Sequence, residues 1–140
     1  MTVSDEIRAR YEEAEQVAVF EWAELARAEF PELEYLNGSL NGVRLPIGLA
    51  VKAKRLGMRK GHPDLNLPVP RHGYHGLYIE MKAITRVKKE LKKPSLEKDQ
   101  RRWRDFLIIQ GYCCLKCHGK DEAINIITNY LGGGCDAHTR

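Results

Sequence analysis

Apolar positions recur at helical intervals along the first thirty residues. Ile7, Tyr11, Ala14, Ala18, Trp22 and Leu25 fall three or four apart within 5–30, the spacing of one face of an amphipathic helix. Pro31 ends that pattern. A strand-like piece over 33–36 leads into two Asn-Gly turns, Asn37-Gly38 and Asn41-Gly42, which punctuate the chain. A shorter helix is predicted over 48–56 with Gly57 as its stop, then a strand over 64–69, a loop carrying Pro70 and Gly73, and a strand over 77–83. Ser95 suits an N-cap and opens a helix to about 110, stopped by Gly111. A strand over 112–117 and a helix over 120–131 complete the order. Helix, strands, helix, strand, helix predicts one α/β domain over 1–140, a mixed central sheet flanked by helices. The segment 132–140, which begins with glycines, is expected to be a flexible tail.

The strand over 77–83 carries an anomaly. Side chains alternate faces along a strand, so Leu77, Ile79 and Met81 share one face, and Tyr78, Glu80 and Lys82 share the other. A carboxylate and an ammonium side by side on a core strand call for a reason. Asp64 opens the preceding strand, and a hairpin-like return through 70–76 brings it toward Glu80. Two facing carboxylates repel unless a cation lies between them. A hard divalent ion, Mg²⁺ foremost, takes one or two carboxylates together with waters and substrate phosphates, and the backbone carbonyl of Met81 is a further oxygen donor. Lys82 projects from the same face, where an ammonium orients a water nucleophile or offsets charge building on phosphorus. These parts suit phosphodiester hydrolysis. The bland alternative is an exposed Glu–Lys pair on a sheet edge, worth little.

Two more polar residues join this set. In the helix after Ser95, Leu96, Gln100, Trp103 and Leu107 form one face, so Gln100 lies in the stripe that packs on the sheet and its amide needs partners. In the first helix Glu13 precedes Gln16, Val17 and Phe20 on one side, so an acid there faces inward, with Glu12 and Glu15 as competitors for the position.

Charge adds a partner. The net charge of +4 is mild, but 85–104 holds nine basic residues against three acidic ones, a larger excess than the whole chain shows. Lys88, Lys89, Lys92 and Lys93 lie there, and Lys52, Lys54, Arg55, Arg59 and Lys60 form a second cluster. Cations flanking an acidic site point to a polyanion partner. With 43% hydrophobic and 30% charged residues, the composition is that of a soluble globular domain. No apolar run is long enough for a membrane span and the first residues do not resemble a secretory signal. A cytoplasmic location is therefore expected, with reduced thiols.

The combination resembles a known family. Gly61-His62-Pro63-Asp64-Leu65, Gly76-Leu77-Tyr78-Ile79-Glu80-Met81-Lys82, the segment from Ser95 to Gln100, Gly111-Tyr112, and Gly119 with Asp121-Glu122-Ala123 closely resemble the VRR-NUC domain. This is the virus-type replication-repair nuclease branch of the PD-(D/E)xK superfamily. The resemblance implies a restriction-endonuclease-like α/β/α core and Mg²⁺- or Mn²⁺-dependent cleavage of DNA. It implies Asp64 and Glu80 as metal ligands, Lys82 as the catalytic lysine, Gln100 as the motif glutamine and Glu13 as the first-helix acid. Small stand-alone members, phage and bacterial, resemble Holliday-junction resolvases and act as homodimers, which implies branched-DNA repair as the setting. A non-catalytic nucleic-acid-binding module on the same fold is the alternative.

Cys114, Cys117 and His118 also match the CxxCH haem-attachment pattern, but that attachment needs an exported chain, and a strand would turn Cys114 and Cys117 to opposite faces. Zinc held by Cys114, Cys117, Cys135 and His138 meets the same objection. Buried strand thiols are the expected reading.

Overall fold

The computed structural model describes residues 3–40, 43, 45–82 and 94–133. Lys88, Lys89, Lys92 and Lys93, the Asn41-Gly42 turn, Ala83, Cys135 and His138 and the greater part of the 132–140 segment lie outside the described residues. The elements are α1 (Val3–Ala26), a 3₁₀ helix (Pro31–Tyr35), β1 (Asn37–Gly38), α2 (Ile47–Arg55), β2 (Leu65–Leu67), β3 (Leu77–Lys82), α3 (Pro94–Ile109), β4 (Cys113–His118) and α4 (Gly119–Gly132).

The strands form one mixed sheet in the order β1-β2-β3-β4. β1 and β2, and β2 and β3, are antiparallel; β3 and β4 are parallel and joined through α3, the crossover that parallel pairing requires. Alternation along β3 survives as a division between two layers. Leu77, Ile79 and Met81, with Cys113, Leu115 and Cys117 of β4, enter the core that Val19 and Ala23 of α1 and Ile126, Ile127 and Tyr130 of α4 complete. The opposite face, with Tyr78, Glu80 and Lys82, lies toward α3, whose Leu107 is buried. The result is the α/β/α arrangement expected from the order of elements.

Four details differ from expectation. Residues 33–36 are not a strand: Pro31, suited to a first helical position, starts a 3₁₀ turn that continues through Tyr35. β2 is shorter than 64–69, because Pro68 has no N–H to give a ladder. α3 begins at Pro94, so Ser95 lies in its first turn instead of capping it. The inward face of α1 is rotated from the predicted one. Val19 and Ala23 are buried, whereas Ile7, Tyr11 and Leu25 are exposed.

Cys113, Cys114 and Cys117 are buried thiols. Cys117 lies in the core beside Met81, and Cys114 lies on the α3 side, where burial and the charge of Glu80 push its thiol up to about 12. The opposed faces leave these two thiols unable to share an ion. Among the described residues no helix is long and apolar enough to cross a membrane.

Candidate active site

Asp64 directly precedes β2 and is fixed at both ends. Its carbonyl accepts the N–H of Ser39 (2.8 Å) and its Oδ2 accepts the N–H of Met81 (2.7 Å). Continuing the β2–β3 register beyond Leu65↔Ile79 sets Asp64 across from Glu80. Burial pushes the Asp64 carboxyl up to about 7; the Met81 N–H opposes this, while repulsion from Glu12 and Glu80 adds to it and Lys82 counters. An acid that is largely withdrawn from water, bonded by one N–H and facing two other carboxylates keeps its proton to higher pH than a free carboxyl, and positive charge would release it.

Glu80 is the one buried charged side chain among the described residues, 5% exposed. Burial raises its pKa, and Lys82, Arg104 and Lys116 pull it back. Lys116 lies opposite it in the parallel register, and Arg104 places NH1 3.6 Å from its Oε2. Lys82 donates from Nζ to Oε1 of Gln100 (2.8 Å). Two positions on α3, one turn apart, thus meet two positions on β3: Gln100 holds Lys82 and Arg104 holds Glu80.

Along α1, Glu12 and Glu13 both line a recess of about 420 Å³ that also reaches Asp64 and Met81. Glu12 is the helix acid whose charge acts on Asp64. Glu13 is exposed on the rim, and Glu15 is engaged elsewhere, its Oε2 accepting the N–H of Lys120 at the start of α4. Val19 and Ala23 carry part of this ordering: the face drawn back from them by four and seven residues contains Glu12 and Glu15 and excludes Glu13. Arg104 and Lys116 were visible only as two charges among many.

The donor set fits a hard divalent ion. Among the described residues no three His, Cys, Asp or Glu side chains form a metal-holding group; Asp64 and Glu80, across from one another on β2 and β3, are the two carboxylates that would hold such an ion. Mg²⁺ is bound in this manner, by one or two carboxylates with the remaining positions left to water and phosphate oxygens. Burial is the main reason both carboxyls are raised, and a bound cation would offset that cost by favouring their charged forms.

No family model matches the sequence, and no curated protein matches it. A solved structure described as a VRR_NUC domain protein does match, at a TM-score of 0.66 and 31% sequence identity, over 89% of this chain and 90% of that one. The chain belongs to the VRR-NUC family. That family is one of nucleases, and the resemblance to the VRR-NUC domain is met at the level of fold and family. Within the VRR-NUC fold of this chain, Asp64, Glu80, Lys82 and Gln100 converge across β2, β3 and α3. The cations Lys52, Lys54 and Arg55 stand exposed on α2, an element with no buried residue, and Lys60 lies 3.6 Å from Asp99.

Proposed function

We propose that this VRR-NUC protein is a structure-selective DNA endonuclease that requires Mg²⁺ or Mn²⁺ and hydrolyses phosphodiester bonds in branched or junction DNA during repair. The observation that carries the reading is the half-buried Asp64 across from the buried Glu80, beside a lysine held by a glutamine. Asp64, Glu80 and the Met81 carbonyl would hold the ion, which would supply Lewis acidity and the positive charge that lets both carboxylates be ionised. Gln100 restrains the Lys82 ammonium, which offsets negative charge developing on the scissile phosphate. Arg104 keeps Glu80 charged and in place. The first-helix acid of the site is Glu12, supported by its action on Asp64, with Glu13 on the same rim as the neighbouring candidate.

Lys52, Lys54, Arg55 and Lys60, with Lys88, Lys89, Lys92 and Lys93, grip phosphates, contacts that position DNA without reading its sequence. One chain offers one such site, so symmetric cutting of two strands calls for a homodimer, working in the cytoplasm of a bacterium or a phage-infected cell. Lys82→Ala is expected to lower nicking of a junction substrate in Mg²⁺ by about 10²–10³-fold. Its thermal melting and metal-free DNA affinity should stay near those of the unaltered protein. Undiminished turnover would overturn the assignment.

A further inference from the structure

On the side of α3 next to Gln100, the segment 59–62 crosses the helix at close quarters. Gly61 has φ +85°, and a Cβ there would lie 2.6 Å from the carbonyl carbon of Asp99 and 2.7 Å from its Cβ, so no other residue fits without moving backbone. The indole Nε1–H of Trp103 donates to the Lys60 carbonyl (3.1 Å). Lys60 Nζ lies 3.6 Å from the Asp99 carboxylate, and the His62 ring meets Trp103 edge-on at 4.8 Å. These contacts build a recess of about 410 Å³ walled by Arg59, Lys60, Arg102, Trp103 and Phe106, with Asp99 the one acid. Phe106 is 57% exposed although its neighbour Leu107 is buried. Three cations and two aromatic rings therefore share one space, and the hydrolytic chemistry uses none of them.

We propose that this recess binds an unpaired nucleotide of the DNA substrate, its base stacked on Trp103 and Phe106 and its phosphate held by Arg59 and Arg102. Rings and guanidinium groups together are the chemistry that holds single strands without regard to sequence, and the guanidinium fork matches phosphate. An acidic peptide would satisfy the cations but leave the rings without a stacking partner. The recess adjoins the active centre on two sides: Asp99 and Trp103 flank Gln100, and Lys60 lies four residues before Asp64. A fully paired duplex offers no free base to the recess, so its occupancy would supply the structure selectivity. The polymer's identity rests on the nuclease reading given above.

The test is DNA binding by fluorescence anisotropy in metal-free buffer, with three labelled DNAs: a duplex with a single-stranded overhang, the same duplex with an abasic overhang, and a fully paired duplex. The protein should bind the base-bearing overhang about tenfold more tightly than the abasic one. Phe106→Ser should erase that difference and leave affinity for the paired duplex unchanged, with thermal melting as the check on folding. Equal affinity of the unaltered protein for base-bearing and abasic overhangs would overturn the proposal, as would an equal loss by Phe106→Ser on all three DNAs. Because no metal is present, these outcomes are independent of cleavage. Failure to cut any DNA in Mg²⁺ or Mn²⁺ would count against the nuclease reading alone.

Discussion

Arg104 illustrates how much one side chain can depend on its neighbour. Glu80 is almost wholly buried, and Arg104, itself 29% exposed, approaches it to 3.6 Å. Removing Arg104 leaves Glu80 out of water with only Lys82 and Lys116 to offset its charge. Arg104→Met is therefore expected to destabilise the metal-free protein by about 1–3 kcal/mol, and saturating Mg²⁺ should recover most of that loss. Urea titrations with and without Mg²⁺ check this, and a loss indifferent to the ion would make Arg104 a packing residue only. In the sequence, Glu80 and Lys82 stood out because a period of two cannot place them in a core without a partner. Gln100 stood out because an amide interrupted an apolar stripe. Arg104 did not, since a run rich in lysine and arginine marks no single member as inward.

At the scale of elements, α2 differs from the rest. It has no buried residue, its apolar Ile47, Leu49 and Val51 are exposed, and its last turn carries Lys52, Lys54 and Arg55. Cations there suit the negative end of the helix dipole, and they also stand free to meet phosphate. Replacing all three by Gln should weaken binding to every DNA alike and flatten the dependence of log affinity on log salt by up to about three. Stability should change by no more than about 0.5 kcal/mol per site. A salt series by anisotropy measures the first effect and thermal melting the second. α1 shows where pattern fell short: its apolar residues are spread widely around the helix, so periodicity alone left its rotation open. Packing against α4, the 3₁₀ turn and β3 chose Val19 and Ala23, and with them Glu12. The 3₁₀ turn over Pro31–Tyr35 was hidden for a related reason, since Leu33 and Leu36 are both buried and a short apolar run reads alike in a strand or a turn.

For the whole molecule, the site ties stability to pH and to metal. Asp64 has its pKa raised from 3.8 to about 7, so the folded chain holds a proton that the unfolded chain gives up as pH rises above about 4. Stability of the metal-free protein should therefore fall from about pH 4 to about pH 7 and level off above that; Glu80, also raised, acts in the same direction. A divalent ion takes the proton's place, so Mg²⁺ should flatten the profile. Asp64→Asn should be more stable than the unaltered metal-free protein at pH 8, by about 2–4 kcal/mol, and nearly equal to it at pH 4. Melting temperatures across this range, with and without Mg²⁺, test the sign directly. A variant that is inactive yet hardier than its parent would mark Asp64 as a residue kept for chemistry at a cost in stability.

The pairing of α3 with β3 has a consequence for how the chain can change in length. Four helical residues advance about 6.0 Å and two strand residues about 6.6 Å, so Gln100 and Arg104 fall in step with Lys82 and Glu80. One residue gained or lost between 100 and 104 would turn the helix by about 100° and put at least one of the two pairs out of reach. Surface loops elsewhere can lengthen at little cost. This single turn works as a gauge, and its tolerance to insertion is zero.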